Sequence, residues 1–241
     1  MMKRMNGMMA RIEQGIYRQV RRRLLVLMLL FIQGVPGTAQ EQDLQGWARI
    51  QLEREITGDL DLALDLQQRM KGNLGVFDRS MITGKADYDL PAGFGISGGV
   101  RYQLVKDEAY YDSRYRLNGD LDYDYDLGAL ELGWRTRIQY GIDDGLRREE
   151  LYENKLVNRN RAGVSYHIFG TRFTPFGTVE IYRHLKRERG AHFYKVRYEV
   201  GVELLLSTTS DLEFFYMLED EFNLSDPLLA HILGTKLTLN L

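Results

Sequence analysis

Between Tyr115 and Ile142 the chain alternates apolar and polar residues almost without a break. Tyr115, Leu117, Leu121, Tyr123, Tyr125 and Leu127 fall on one side, Arg116, Asn118, Asp120, Asp122, Asp124 and Asp126 on the other. After Gly128 and Ala129 the pattern resumes, with Leu130, Leu132, Trp134, Thr136, Ile138, Tyr140 and Ile142 against Glu131, Arg135, Arg137 and Gln139. A period of two marks strands, and the two-residue break between them predicts a hairpin. Strands of soluble sandwiches run about 5–6 residues, whereas each arm here holds its pattern for about a dozen, the length a tilted strand needs to cross a bilayer. With Gly128 and Ala129 as the turn, Asp122 faces Arg135 and Asp120 faces Arg137, so opposite charges meet on the polar side. The hairpin alone fits two structures. In a soluble sheet the polar face meets water; in a membrane barrel it faces the lumen and the apolar face meets lipid.

The same period recurs along the chain. Trp47 to Ile56 sets Ala48, Ile50 and Leu52 against Arg49, Gln51 and Glu53, and the next strand sets Leu60, Leu62, Leu64 and Leu66 against Asp59, Asp61, Asp65 and Gln67. Further strands are predicted at about 77–90, from Phe94, at about 156–168, at 173–184, around Tyr194 to Leu204, at 211–218 and from about Leu228 to the end, while 40–46 reads as loose and 219–227 as a loop. Pairing around Ala92 opposes Thr83 to Arg101, and pairing around Gly170 opposes Glu180 to Arg161. In the ninth strand Tyr194, Val196, Tyr198, Val200 and Val202 point one way, Lys195, Arg197, Glu199 and Glu203 the other.

Connections alternate in length, short near residues 57, 92, 128, 170 and 208 and longer near 74, 109, 149, 188 and 223. Outer-membrane barrels have that rhythm, with short periplasmic turns and longer external loops. Aromatics gather near strand ends, Tyr88, Phe94, Tyr123, Tyr125, Tyr166 and Phe173 toward the short turns and Tyr102, Tyr115, Tyr140, Tyr194 and Tyr198 toward the loops, as interfacial girdles do. The expected fold is therefore all-β, a transmembrane antiparallel up-and-down β-barrel. Eleven strands can be counted, but bacterial single-chain barrels have an even number, so twelve are expected, with ten as the fallback.

The amino terminus supplies the address. Arg21, Arg22 and Arg23 precede an apolar run from Leu24 to Phe31, and Gly37, Thr38 and Ala39 follow it. That order describes a secretory signal peptide over residues 1–39, with an over-extended start, and a barrel over 40–241. Without residues 1–39 the chain loses seven basic residues and one acidic, leaving 25 against 33 and a formal net charge of −8, which argues against nucleic acid as a partner. The chain has no cysteine, so no disulfide, thiolate metal site or lipoprotein anchor is available.

Several segments carry a family likeness: Arg159-Asn160-Arg161, the Pro175-Phe176 start of a strand, the run Arg197-Tyr198-Glu199-Val200-Gly201-Val202-Glu203, and Phe214 to Asn223 with its Asp220-Glu221-Phe222-Asn223 ending. In these the chain resembles the outer-membrane family known as domain of unknown function 2490, from Trp47 onward. It is also similar in plan to small twelve-stranded oligosaccharide porins, whose lumens carry arginine tracks. The resemblance implies an outer-membrane location, with lipid, lipopolysaccharide and the assembly machinery as partners, and small solutes as cargo. It implies no catalytic residue and no cofactor.

The expected lumen lining is Arg101, Arg116, Asp120, Asp122, Arg135, Arg137, Arg159, Arg161, Glu180, Arg197, Glu199 and Glu203. Two readings stay open. If these charges are all paired, the interior is a polar plug; if arginines and acids line opposite walls, a transverse field favours small charged or sugar solutes in a narrow pore. Ser165 and His167 share the inward face two residues apart, a spacing a lipid hydrolase could use, but Thr174 rather than an acid is predicted opposite His167, at the short-turn end. His184, His192 and His231 have no close second ligand for a metal. The chain is read as a non-enzyme.

Overall fold

The structure, a computed structural model, describes residues 41–106, 110–143, 156–185 and 192–241. The expected signal peptide, and most of the long connection expected over 143–155, lie outside them. Eleven strands make up the described wall: β1 Glu41–Thr57, β2 Leu60–Lys71, β3 Val76–Leu90, β4 Phe94–Lys106, β5 Tyr111–Leu127, β6 Leu130–Asp143, β7 Leu156–Tyr166, β8 Phe173–His184, β9 His192–Ser207, β10 Ser210–Glu221 and β11 Leu228–Asn240. Consecutive strands pair antiparallel, and β1 also pairs with β11, closing the barrel.

Closure explains the strand number. In a meander each strand reverses the last, so the first and eleventh run the same way and must pair in parallel. They do so from Glu41 opposite Leu228 to Glu53 opposite Asn240. The expectation of twelve strands is corrected here to eleven. No further strand is needed, because residues 41–46, read from sequence as loose, extend β1 along the edge of β11 and supply the missing backbone partners. A parallel ladder satisfies those partners nearly as well as an antiparallel one.

Register follows the alternation. Leu127 lies opposite Leu130, Asp122 opposite Arg135, Asp120 opposite Arg137, Thr83 opposite Arg101 and Arg161 opposite Glu180, as the turns predict. The accessibilities settle which face is which: Leu62 is 46% exposed, Ile96 46% and Val100 55%, whereas Asp65, Asp120 and Glu180 are 4%, 6% and 6%. A water-soluble sheet inverts that order. An apolar outside with carboxylates inside belongs to a barrel set in lipid. Outward Tyr88, Tyr125, Tyr166, Tyr115, Tyr140 and Tyr198 are all exposed near the wall's two ends, where aromatic rings anchor a barrel at the interface. Polar groups on this face satisfy one another: Asn158 Nδ2 donates to Thr136 Oγ1 at 3.1 Å, and Asn160 Nδ2 donates to Asn158 Oδ1 at 2.7 Å.

Two features depart from the alternation. Tyr194, expected outside, lies inside, because the β8–β9 register slips between Tyr182 and Arg183 and the extra residue reverses the side-chain direction. Its ring stacks on His184 at 3.8 Å. Second, the interior has an apolar patch at the closing seam, where Trp47, Met217, Ala230 and Ile232 are buried with Phe215 and Leu228 against them. Gly234 is glycine because the Phe215 ring occupies the space its Cβ would fill.

Replacing Gly234 by Val overpacks this seam. The expected cost is about 1–3 kcal/mol, read as a lower urea midpoint and a larger fraction of unfolded band on a heat-modifiable gel, with the lipid-facing Leu233→Val as the comparison.

Candidate functional site: the charged interior

Because side chains alternate along every strand, fixing the lipid face fixes the interior. The charged residues opposite the exposed apolar face lie in cross-strand rows. One row runs Asp122, Arg135, Arg161, Glu180, Arg197, Glu219 across β5 to β10. A second, one step nearer the loops, runs Asp120, Arg137, Arg159, Tyr182, Lys195. Arg101 and Arg116 lie opposite each other on β4 and β5, Glu199 lies opposite Thr178, and Glu203 opposite Thr174 and Glu213.

Glu180 is the hub of the first row. Arg159 donates to both its oxygens, Nε to Oε1 at 3.1 Å and Nη2 to Oε2 at 2.8 Å; Arg135 Nη2 donates to Oε1 at 3.0 Å, the Tyr182 hydroxyl donates to Oε2 at 2.8 Å, and Arg197 Nη1 stands 3.9 Å away. A fork-shaped guanidinium holding both oxygens of a carboxylate is the strongest such pairing available. Glu219 is the second hub, taking Lys195 at 2.8 Å and the Nε of Arg197 at 2.5 Å. Arg137 grips Asp120 with both arms, and Arg161 Nη2 stands 3.6 Å from Glu199. Asp122 keeps its expected place opposite Arg135, but the guanidinium leans to Glu180 instead, so facing positions did not become a contact.

Sequence reading missed part of this network. The sequence reads residue 219 as loop; β10 continues through Glu221, so Glu219 faces inward. The run Phe214-Phe215-Tyr216 hid the alternation of Glu213, Phe215, Met217 and Glu219. Arg69 was also overlooked at the loop end of β2, where its guanidinium stacks 3.5 Å over the Trp47 ring.

Carboxylates gather at the short-turn end of the interior. At the short-turn end a cavity of about 500 Å³ is lined by Asp122, Asp124, Glu131, Glu203 and Glu213, with Arg135 and Arg161 on its inner side. Ser165 and His167 also line it, but the serine hydroxyl donates to Glu131 Oε2 at 3.3 Å and the His167 ring faces Thr174 Oγ1 at 3.5 Å. The two are not joined as nucleophile and base. Among the described residues no group of metal-ligating side chains occurs.

A closed strand wall, an apolar exterior and a charged interior define a transmembrane β-barrel of the outer-membrane type. The chain belongs to the family of proteins of unknown function DUF2490, which matches residues 44–226. No curated protein matches it in sequence. Similar solved structures include the NanC porin, with 15% identity, a TM-score of 0.49 and coverage of 78% of this chain and 93% of that one. The translocator domain of the autotransporter NalP from Neisseria meningitidis has 11% identity, a TM-score of 0.39 and coverages of 69% and 70%. An anion-selective porin from Comamonas acidovorans has 12% identity, a TM-score of 0.37 and coverages of 75% and 54%.

Removing the hub's negative charge leaves Arg159 and Arg135 facing a neutral amide that has one accepting oxygen in place of two. Glu180→Gln is expected to lower stability by about 3 kcal/mol, measured by urea unfolding in lipid vesicles. Ser165→Ala at the open end is expected to stay within about 0.5 kcal/mol.

Proposed function

We propose that the barrel is a narrow pore passing small charged or sugar solutes across the outer membrane, delivered there by an export signal in residues 1–39. The observation that carries this reading is the imbalance of charge inside. Among the described residues Arg69, Arg101 and Arg116 point inward with no carboxylate at ion-pair distance, and an uncompensated guanidinium inside a membrane protein requires water around it. Planar-bilayer recording on the refolded protein tests the proposal. Discrete conductance steps are expected, larger for Trp47→Ala, which trims the apolar patch; a folded sample that never conducts rejects the pore.

A second reading is a structural barrel with a self-paired, closed lumen. It is favoured by the Glu180 and Glu219 networks and by the burial of Trp47, Met217 and Ile232. That reading predicts silent bilayers for the parent chain and for Trp47→Ala alike.

A further inference from the structure

The interior repeatedly sets arginine opposite arginine. Arg69 faces Arg79 across β2 and β3, Arg101 faces Arg116 across β4 and β5, and Arg135 and Arg137 face Arg161 and Arg159 across β6 and β7. Like charges directly opposite each other destabilise a sheet, so each such pair requires compensation. Between β6 and β7 the acids provide it: Glu180 takes Arg135 and Arg159, Asp120 takes Arg137, and Glu199 lies beside Arg161. Arg79 has Asp78 at 2.6 Å.

No such compensation reaches the remaining three. Arg101 Nε donates to Thr83 Oγ1 at 2.8 Å, and its Nη1 lies 3.8 Å from the Met81 sulfur. Arg69 Nη2 donates to Gln67 Oε1 at 3.2 Å, while its Nε is buried with no acceptor. Arg116 makes no hydrogen bond or ion pair among the described residues. Asp65 is the carboxylate whose charge acts on Arg101, and Asp65 already holds Arg49. The guanidiniums of Arg69 and Arg101 repel each other, as do those of Arg101 and Arg116. Three planar donor forks thus lie between the middle of the β2–β5 wall and the longer loops, with donors to spare and more arginine than carboxylate around them.

We infer that Arg69, Arg101 and Arg116 form a lumenal subsite for small solutes bearing anionic oxygens, carboxylate or phosphate. A planar fork matches two oxygens of such a group, and a dianion between Arg101 and Arg116 replaces their mutual repulsion with attraction to a shared charge. Thr83 holds Arg101 by its Nε and leaves Nη2 for the ligand, with Nη1 engaged only by the weakly accepting Met81 sulfur. The subsite deepens the pore reading and rests on the same water-filled interior, but binding can be read apart from conduction.

Trp47 supplies the signal, since Arg69 lies on its ring. In a Trp134→Phe background, Trp47 becomes the sole tryptophan of the chain. Titration of the refolded barrel with inorganic phosphate, then with succinate, at ionic strength held constant with sodium chloride, is expected to give a saturable fluorescence change. Arg101→Gln with Arg116→Gln is expected to weaken the apparent affinity roughly tenfold, the loss of one charge-assisted contact or more. Lys85→Gln, a basic residue paired with Asp87 near the short turns, is expected to leave it within about twofold, the effect of general charge alone. The urea midpoint gives a second readout: phosphate is expected to raise it in the parent and not in the double variant. Absence of saturation in the parent, equal affinity in the double variant, or an equal loss in Lys85→Gln overturns the subsite. Saturation in a barrel that does not conduct keeps the subsite and rejects the pore, while conduction without saturation does the reverse.

Discussion

Backbone hydrogen bonding in a medium without water is the constraint on which this structure depends. Inside a bilayer every N–H and C=O needs a protein partner, and a sheet provides one for each only if it has no free edge. Here the last edge is removed by β1 lying parallel to β11 over thirteen matched positions. The odd strand number follows from the parallel seam. So does the place of the apolar interior patch, because Trp47 and Ile232 sit on the two strands that meet there.

Once the wall is closed, side-chain chemistry has two destinations only. Apolar residues outside need no partner in lipid, and Leu62, Ile96 and Val100 stand exposed on that face. Charged residues inside need water or one another, and much of this interior is paired. Acids of β5, β8 and β10 neutralise the arginines of β6, β7 and β9 in tight networks. The β2–β5 wall keeps arginines whose charge is unbalanced. That unevenness is a difference in charge balance between two parts of one wall.

The fold was legible because its driving pattern is local. The period of two across Tyr115–Ile142 fixes strand, turn and register together, and a one-residue slip would have sent Asp120 and Asp122 into lipid. What escaped were features set by neighbours distant in sequence. Nothing near Gln45 announces that Ile232 will pair with it in parallel. The bulge that turns Tyr194 inward breaks the rule by which it was placed outside. At the candidate site the inward positions of Arg135 and Glu180 could be read, but not that Arg135 would prefer Glu180 to the facing Asp122. Side-chain choice among several acids is decided by reach across three strands, which alternation does not encode.

The chain's two tryptophans test this account most directly, because one stands on each side of the wall: Trp134 is 41% exposed on the outer face and Trp47 is 7% exposed within. Single-tryptophan variants, Trp47→Phe and Trp134→Phe, refolded into vesicles of acyl-brominated lipid, report contact with hydrocarbon by fluorescence quenching. The account predicts strong quenching when Trp134 is the remaining indole and little when Trp47 remains. Quenching of Trp47 by the brominated chains, with Trp134 spared, would contradict it.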